Sequence, residues 1–261
     1  MEEQNYRREL PGSRRVILDI KDLPFSAREA LNVLRGNIQL SGFDLKVIAV
    51  TSAMANEGKS TVAFRLAKSF SALKKRTLYL DCDIRNSSTM ARYDIREEVR
   101  GLSEFLCGEA VMNEIIYRTD DRYMDIIFTG AIAPNPSELV SGKLFTLLLE
   151  EMRKRYDYII VDTPPVNPVI DGALIAKKCD GTVLVIENGV TERAQAVHAK
   201  RQLEYGGIKL LGAVLNRVGA EKKGYGYRYG YGYGYGYGYG YGKEAKEKKR
   251  KEIENKRAEK K

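Results

Sequence analysis

The feature that most constrains this chain is a junction. An apolar run at 47–51 leads through a short turn into Gly58, Lys59, Ser60 and Thr61, and these open a stretch of helical spacing over 60–73. A buried strand that turns straight into a helix leaves the first N–H groups of that helix without internal partners, facing the turn. Those donors, the helix dipole and a lysine together favour a polyanion, phosphate above all. Ala53, Met54, Ala55, Asn56, Glu57, Gly58, Lys59, Ser60 and Thr61 therefore read as a phosphate-binding loop that takes ATP. Gly58 lets the backbone approach, Lys59 supplies charge to the β and γ phosphates, and Ser60 offers a hydroxyl to magnesium. The first position of the usual pattern is a glycine, and here it is Ala53. Phosphate binding then requires Ala53 to avoid the left-handed backbone region, which would cost roughly 1–2 kcal/mol.

Further short apolar runs at 78–81, 125–129, 158–162, 181–186 and 210–216 are bounded by polar residues or glycine and read as buried, mostly parallel strands. Helix-length periodic segments at 60–73, 141–155 and 191–205 separate them, which predicts an α/β fold of the P-loop NTPase kind, a mostly parallel wound sheet with helices on both faces. Ligands of such sheets sit at the carboxyl ends of the strands. Ahead of the first strand, 26–40 has helical spacing through Ala30, Leu31, Leu34 and Ile38, with Ser26 and Glu29 placed as a capping box.

With 261 residues and 43% apolar content, one domain with appendages is expected. No apolar run reaches the roughly 18 residues of a membrane span, and 1–15 is polar, so a cytoplasmic protein is expected. A single histidine, His198, excludes Ser-His-Asp, Cys-His and most zinc chemistry, leaving carboxylates as the available general bases. Cys82, Cys107 and Cys179 have no disulfide or zinc spacing. The net charge of +9 is concentrated late: 219–261 holds 13 Lys or Arg against 6 Asp or Glu, which is +7, and the remainder holds 31 against 29, which is +2. Four parts follow: an N-terminal arm at 1–25, a P-loop domain at 26–218, a Gly-Tyr tract at 219–242 and a basic Lys/Glu-rich tail at 243–261.

Two further elements bring acids to strand ends. Asp81 and Asp83 close the run at 78–81 with Arg85 just beyond, and Asp162 closes the run at 158–162 before Thr163, Pro164 and Pro165. Three carboxylates beside a phosphate loop suit magnesium, which takes few protein ligands, and leave one carboxylate for base work. Phosphoryl transfer needs mainly alignment and charge neutralisation, so this set serves transfer to a hydroxyl or to water equally well.

Over about residues 26–242 the chain resembles the bacterial protein-tyrosine kinases, the BY-kinases, through three ordered motifs: Walker A at 53–61, the family's additional Walker A′ at 78–85 and Walker B at 159–165. The tyrosine-rich end is a fourth match. The resemblance implies that Lys59 and Ser60 bind ATP and magnesium, that Asp83 and Asp162 serve the metal with Ser60, and that Asp81 is the base, with Lys59 and Arg85 in the catalytic set. It implies that Tyr225, Tyr227, Tyr229, Tyr231, Tyr233, Tyr235, Tyr237, Tyr239 and Tyr241 accept phosphate, one subunit's cluster entering its neighbour's site in a ring. The family's Glu-x-x-Arg-x-x-Arg oligomerisation pattern occurs as Glu29, Asn32 and Arg35, without its first arginine. A separate membrane-bound activator of the polysaccharide co-polymerase type is implied, with peripheral attachment to the inner face of the plasma membrane and a role in capsular or extracellular polysaccharide export.

Two rivals are weighed against this. Partitioning ATPases of the deviant Walker group carry a signature lysine where Met54 stands here. The other rival is a nucleotide-gated protein that self-associates through its stacked tyrosines, with no phosphoryl transfer to protein. Glycine on both sides of most tail tyrosines favours threading into a site, and each phosphate adds roughly −1.5 to −2 charges, enough to reverse the tail's positive charge. Nucleic-acid binding is not expected, because the tail's lysines alternate with glutamates and no reading motif accompanies them. Asn216, ending the last strand, is a candidate for contact with the adenine base or for a turn. Phe105 and 125–136 are expected to border a route to the site.

Overall fold

The computed structural model describes residues 14–95 and 99–219. In chain order its elements are β1 (Arg14–Arg15), α1 (Phe25–Leu40), β2 (Val47–Ser52), α2 (Lys59–Ser71), β3 (Thr77–Asp81), α3 (Thr89–Arg92), α4 (Leu102–Leu106), α5 (Met112–Ile115), β4 (Tyr117–Arg118), β5 (Met124–Ile127), α6 (Pro136–Ser141), α7 (Lys143–Arg155), β6 (Tyr158–Asp162), α8 (Asp171–Ala176), β7 (Gly181–Glu187), α9 (Arg193–Tyr205) and β8 (Leu210–Asn216). The expected tyrosine acceptors and the basic tail lie outside the described residues.

The described strands form one sheet in the order β1-β4-β5-β3-β6-β2-β7-β8. Every pairing is parallel except β4 with β5, which is antiparallel. The α/β expectation holds, with two additions. Arg14–Arg15 pairs with Tyr117–Arg118 at one edge, and Val16 and Leu18 are buried just after it, so part of the expected arm belongs to the fold.

Strand alternation distributes the core between two faces. In β3, Leu78 and Leu80 pack with Phe145, Leu148 and Met152 of α7 on one face. Tyr79 packs with Phe64 and Phe70 of α2 and Ile38 of α1 on the other. Phe64 meets Tyr79 edge-on at 5.3 Å between ring centres, and both are fully buried, each aromatic side chain contributing roughly 1.5–3 kcal/mol by leaving water. At the lower end of β2, Asp180 accepts from the N–H groups of Lys46 and Val47 and is held bidentately by Arg153 at 2.7 and 2.8 Å. No helix among the described residues is long and apolar enough to cross a membrane.

The order places β2 between β6 and β7, so the chain leaves toward both sides of the sheet from one point. The carboxyl ends of β2, β3 and β6 therefore share a rim, and Asp81 pairs in register with Asp162. Beneath that rim Gly172 of α8 presses on the segment after β6: a Cβ there would stand 2.4 Å from the Pro164 carbonyl oxygen, which accepts from the Thr51 hydroxyl at 2.9 Å. Gly172→Ala is expected to lower stability by roughly 1–3 kcal/mol through overpacking. An unchanged urea midpoint for this variant would show that the contact yields freely.

Candidate active site

The turn between β2 and α2 is shaped by two residues in the left-handed region, Asn56 at φ 67° and Gly58 at φ 90°. Ala53 is not among the positive-φ residues, so the missing first glycine costs the loop no backbone strain. Apart from its φ, a Cβ at Gly58 would lie 2.2 Å from Asn216 Nδ2 and would have to push that side chain off the loop. α2 begins immediately afterwards with no side-chain cap, so its opening N–H groups are left for a ligand.

The loop is fixed from behind by polar side chains. Glu57 is buried, and its carboxylate accepts from the Met54 N–H at 3.0 Å and from the Thr191 hydroxyl. The Glu57 carbonyl accepts from Asn216 Nδ2 at 2.9 Å. Asn216 thus spends one of its two amide N–H donors on the loop backbone.

In front of the loop, Lys59 Nζ lies 2.6 Å from Asp83 Oδ2, 3.3 Å from Ser60 Oγ and 3.8 Å from Asp162 Oδ1. Burial works against the lysine's charge, but Asp162 and Asp83 outweigh it and hold Lys59 above the ordinary lysine range. Asp162 Oδ2 accepts from the Tyr79 hydroxyl at 3.0 Å, so the aromatic core under α2 orients this carboxylate. Burial raises Asp162. Asp81, also buried, is pushed up to about 7 by burial and then by the Asp162 carboxylate beside it, against hydrogen bonds from Ser87 Oγ at 2.6 Å and the Asp83 N–H at 3.1 Å.

Lys59, Ser60 and Asp83 border a cleft of about 280 Å³ lined also by other residues of the loop, Arg85, Asn86, Ser88, Arg92 and Arg217, with Pro164, Pro165, Pro168 and Val169 as an apolar wall. Such a cleft combines anion donors, a buried cation, acids and an apolar surface, which is the equipment for a nucleotide.

Residues 45–189 match the family model described as an AAA domain. Tyrosine-protein kinase CpsD of Streptococcus pneumoniae serotype 4 is 42% identical over 192 residues, covering 74% of this chain and 85% of that protein. Tyrosine-protein kinase YwqD of Bacillus subtilis is 37% identical over 190 residues, covering 72% and 80%. Among solved structures, the kinase domain of Escherichia coli tyrosine kinase ETK superposes with a TM-score of 0.72 at 29% identity, covering 80% of this chain and 86% of that one. The chain belongs to the bacterial tyrosine-protein kinases.

Within this kinase fold the structure brings together the whole expected loop, Asp81, Asp83 and Asp162. Arg85 borders the cleft, but its guanidinium is bound to Asp171 of α8, with Ser137 at 3.2 Å. Neither Asp81 nor Asp162 is itself part of the cleft lining. Arg35 donates within the chain to the Ser69 carbonyl and hydroxyl, both at 2.6 Å, and Asn32 bonds Glu29 at 2.9 Å. Phe105 packs against the core, and neither it nor 125–136 borders the cleft. Arg92 and Arg217 carry no motif that sequence reasoning could use, although Arg217 directly follows Asn216; they bond Thr61 and, at 2.7 Å, Glu187.

The donors fit magnesium. Among the described residues no group of three or more His, Cys, Asp or Glu is arranged to hold a metal alone, and magnesium asks for only one or two carboxylates beside phosphate and water. Asp162 Oδ1 is buried without a hydrogen-bond partner, a position that a cation next to Ser60 would satisfy.

Because Asn216 braces the loop, Asn216→Ala is expected to weaken ATP and GTP equally, by about 5-fold for one lost hydrogen bond of about 1 kcal/mol. Nucleotide titration checks this; a loss confined to ATP would assign the side chain to the adenine base instead.

Proposed function

We propose that this chain transfers the γ-phosphoryl group of ATP to tyrosine hydroxyls of its own Gly-Tyr tract, from one subunit to another within an oligomeric ring. The observation that carries this is the buried Lys59–Asp83–Asp162 constellation facing the phosphate loop, in a chain of this kinase family that also holds nine tyrosines between 225 and 241. By likeness to the family, the activity serves capsular or extracellular polysaccharide export, under a membrane-bound activator that keeps the chain at the inner face of the plasma membrane.

The opening N–H groups of α2 and the loop backbone hold the phosphates, and Lys59 turns from Asp83 to the terminal ones. Ser60, Asp83 and Asp162 would hold magnesium, which supplies neutralisation of the phosphate oxygens. The phenol oxygen then attacks the γ phosphorus in line, the bond to the bridging oxygen breaks, and ADP leaves. Asp81 takes the phenolic proton. With a pKa pushed up to about 7 it accepts and releases a proton near neutrality, as a general base requires. Its approach to the phenol needs the 86–88 segment, with the Ser87 hydroxyl bonded to Asp81, to move aside.

Mass spectrometry of residues 219–242 after incubation with ATP, magnesium and activator is the direct test. Phosphate is expected on several tail tyrosines of the wild type and on none in Lys59→Met. Turnover of ATP with a bare tail would end the proposal. Asp81→Asn is expected to lower kcat by roughly 10²- to 10⁴-fold with nucleotide affinity retained. Asp83→Asn, which removes the partner of Lys59, should lower both.

A further inference from the structure

A second cavity lies on the far side of α2, between that helix and α1. Its volume is about 310 Å³, and Arg28, Leu31, Arg35, Arg65 and Lys68 line it with Asp22 as the one acid. Four cations against one carboxylate is a large imbalance for a concave surface. None of the four forms an ion pair with a carboxylate among the described residues. Arg28, Arg35 and Arg65 instead donate to backbone carbonyls, of Leu23 at 3.4 Å, Ser69 at 2.6 Å and Lys21 at 2.6 Å. These bonds fix the guanidinium groups without neutralising them. Arg35 Nε is buried and has no partner at all.

Fixed arginines with free donors recognise phosphoryl oxygens bidentately, and their planes, with the Leu31 side chain, offer surface to an aromatic ring. We infer that the α1–α2 groove binds a phosphorylated tyrosine of the Gly-Tyr tract. The inference rests on the proposed function, which makes those residues phosphoacceptors. A walled pocket suits a single aryl phosphate, whereas adsorption to an anionic bilayer uses basic side chains that project outward. Tyr225 follows Gly219 by six residues, or roughly 20 Å of extended chain at about 3.3 Å per residue, and the later tyrosines reach further. Glycines beside the phosphotyrosine let the peptide backbone lie close to the helices.

Fluorescence anisotropy with a labelled Gly-Tyr-Gly-Tyr-Gly peptide, bare or phosphorylated on both tyrosines, tests this on the full, phosphatase-treated chain without nucleotide. The phosphopeptide is expected to bind at least tenfold more tightly than the bare one, and more weakly as salt rises. Arg28→Gln combined with Lys68→Gln should remove at least tenfold of that affinity, while the rate on an added tyrosine substrate stays unchanged. Equal binding of the two peptides, or an unaltered affinity in the double variant, overturns the inference. So does sedimentation with phosphatidylserine vesicles that the double variant abolishes, if the phosphopeptide itself does not bind. Because the peptide is synthetic, binding seen together with a bare tail in the kinase assay would sink the proposed function and leave the groove's specificity standing; phosphorylated tails without peptide binding would do the reverse.

Discussion

The structure turns on the position of one buried ammonium group. Two strands in register bring Asp81 and Asp162 side by side, and Asp83 follows two residues on, so three carboxylates meet in a place largely closed to water. Opposite charges near 4 Å attract by about 4 kcal/mol at an effective dielectric of 20, and like charges repel as strongly. Lys59 offsets the repulsion for Asp83 and Asp162, which it approaches at 2.6 and 3.8 Å. Asp81 forms no ion pair with Lys59, and burial, followed by repulsion from Asp162, pushes its pKa up to about 7. The three carboxylates thus differ in their surroundings because of where one lysine sits.

That lysine is the first residue of α2, so its place is set by the turn before it, and the turn is set by residues far away in the chain. Thr191 follows β7 and Asn216 ends β8, yet both bond Glu57 and close the loop from behind. A phosphate loop has few internal contacts of its own. Strands on the far side of β2 supply the missing rigidity, which keeps the α2 donors oriented before any phosphate arrives.

The central strands and the three longest later helices were legible because periods of 2 and 3.6 are written directly in residues such as Leu78, Tyr79 and Leu80 or Phe64 and Phe70. The carboxylates were legible because they end strands. What escaped was everything decided by partners distant in sequence. Arg14–Arg15 and Tyr117–Arg118 are too short to show a period and become strands only by pairing with each other and with β5. Arg85 follows Asp81 and Asp83 in sequence, and only the packing of α8 shows that Asp171 holds it. Arg35, expected at a subunit contact by likeness alone, meets Ser69 because α1 lies along α2. Sequence spacing gives the direction of a side chain within its own element, and these contacts lie between elements.

The two candidate sites are the two ends of one rigid body. α2 rises about 1.5 Å per residue, so its 13 residues span about 20 Å from Lys59 in the cleft to the turn where Ser69 accepts from Arg35. Its middle is locked to the sheet by Phe64 on Tyr79, and the Tyr79 hydroxyl in turn holds Asp162. Bending the helix between its two ends would stretch its ladder of hydrogen bonds. A shift of α2 as a unit would work against an aromatic contact that also orients Asp162. A ligand in the α1–α2 groove would contact the same helix that presents Lys59, so the two candidate sites share one element.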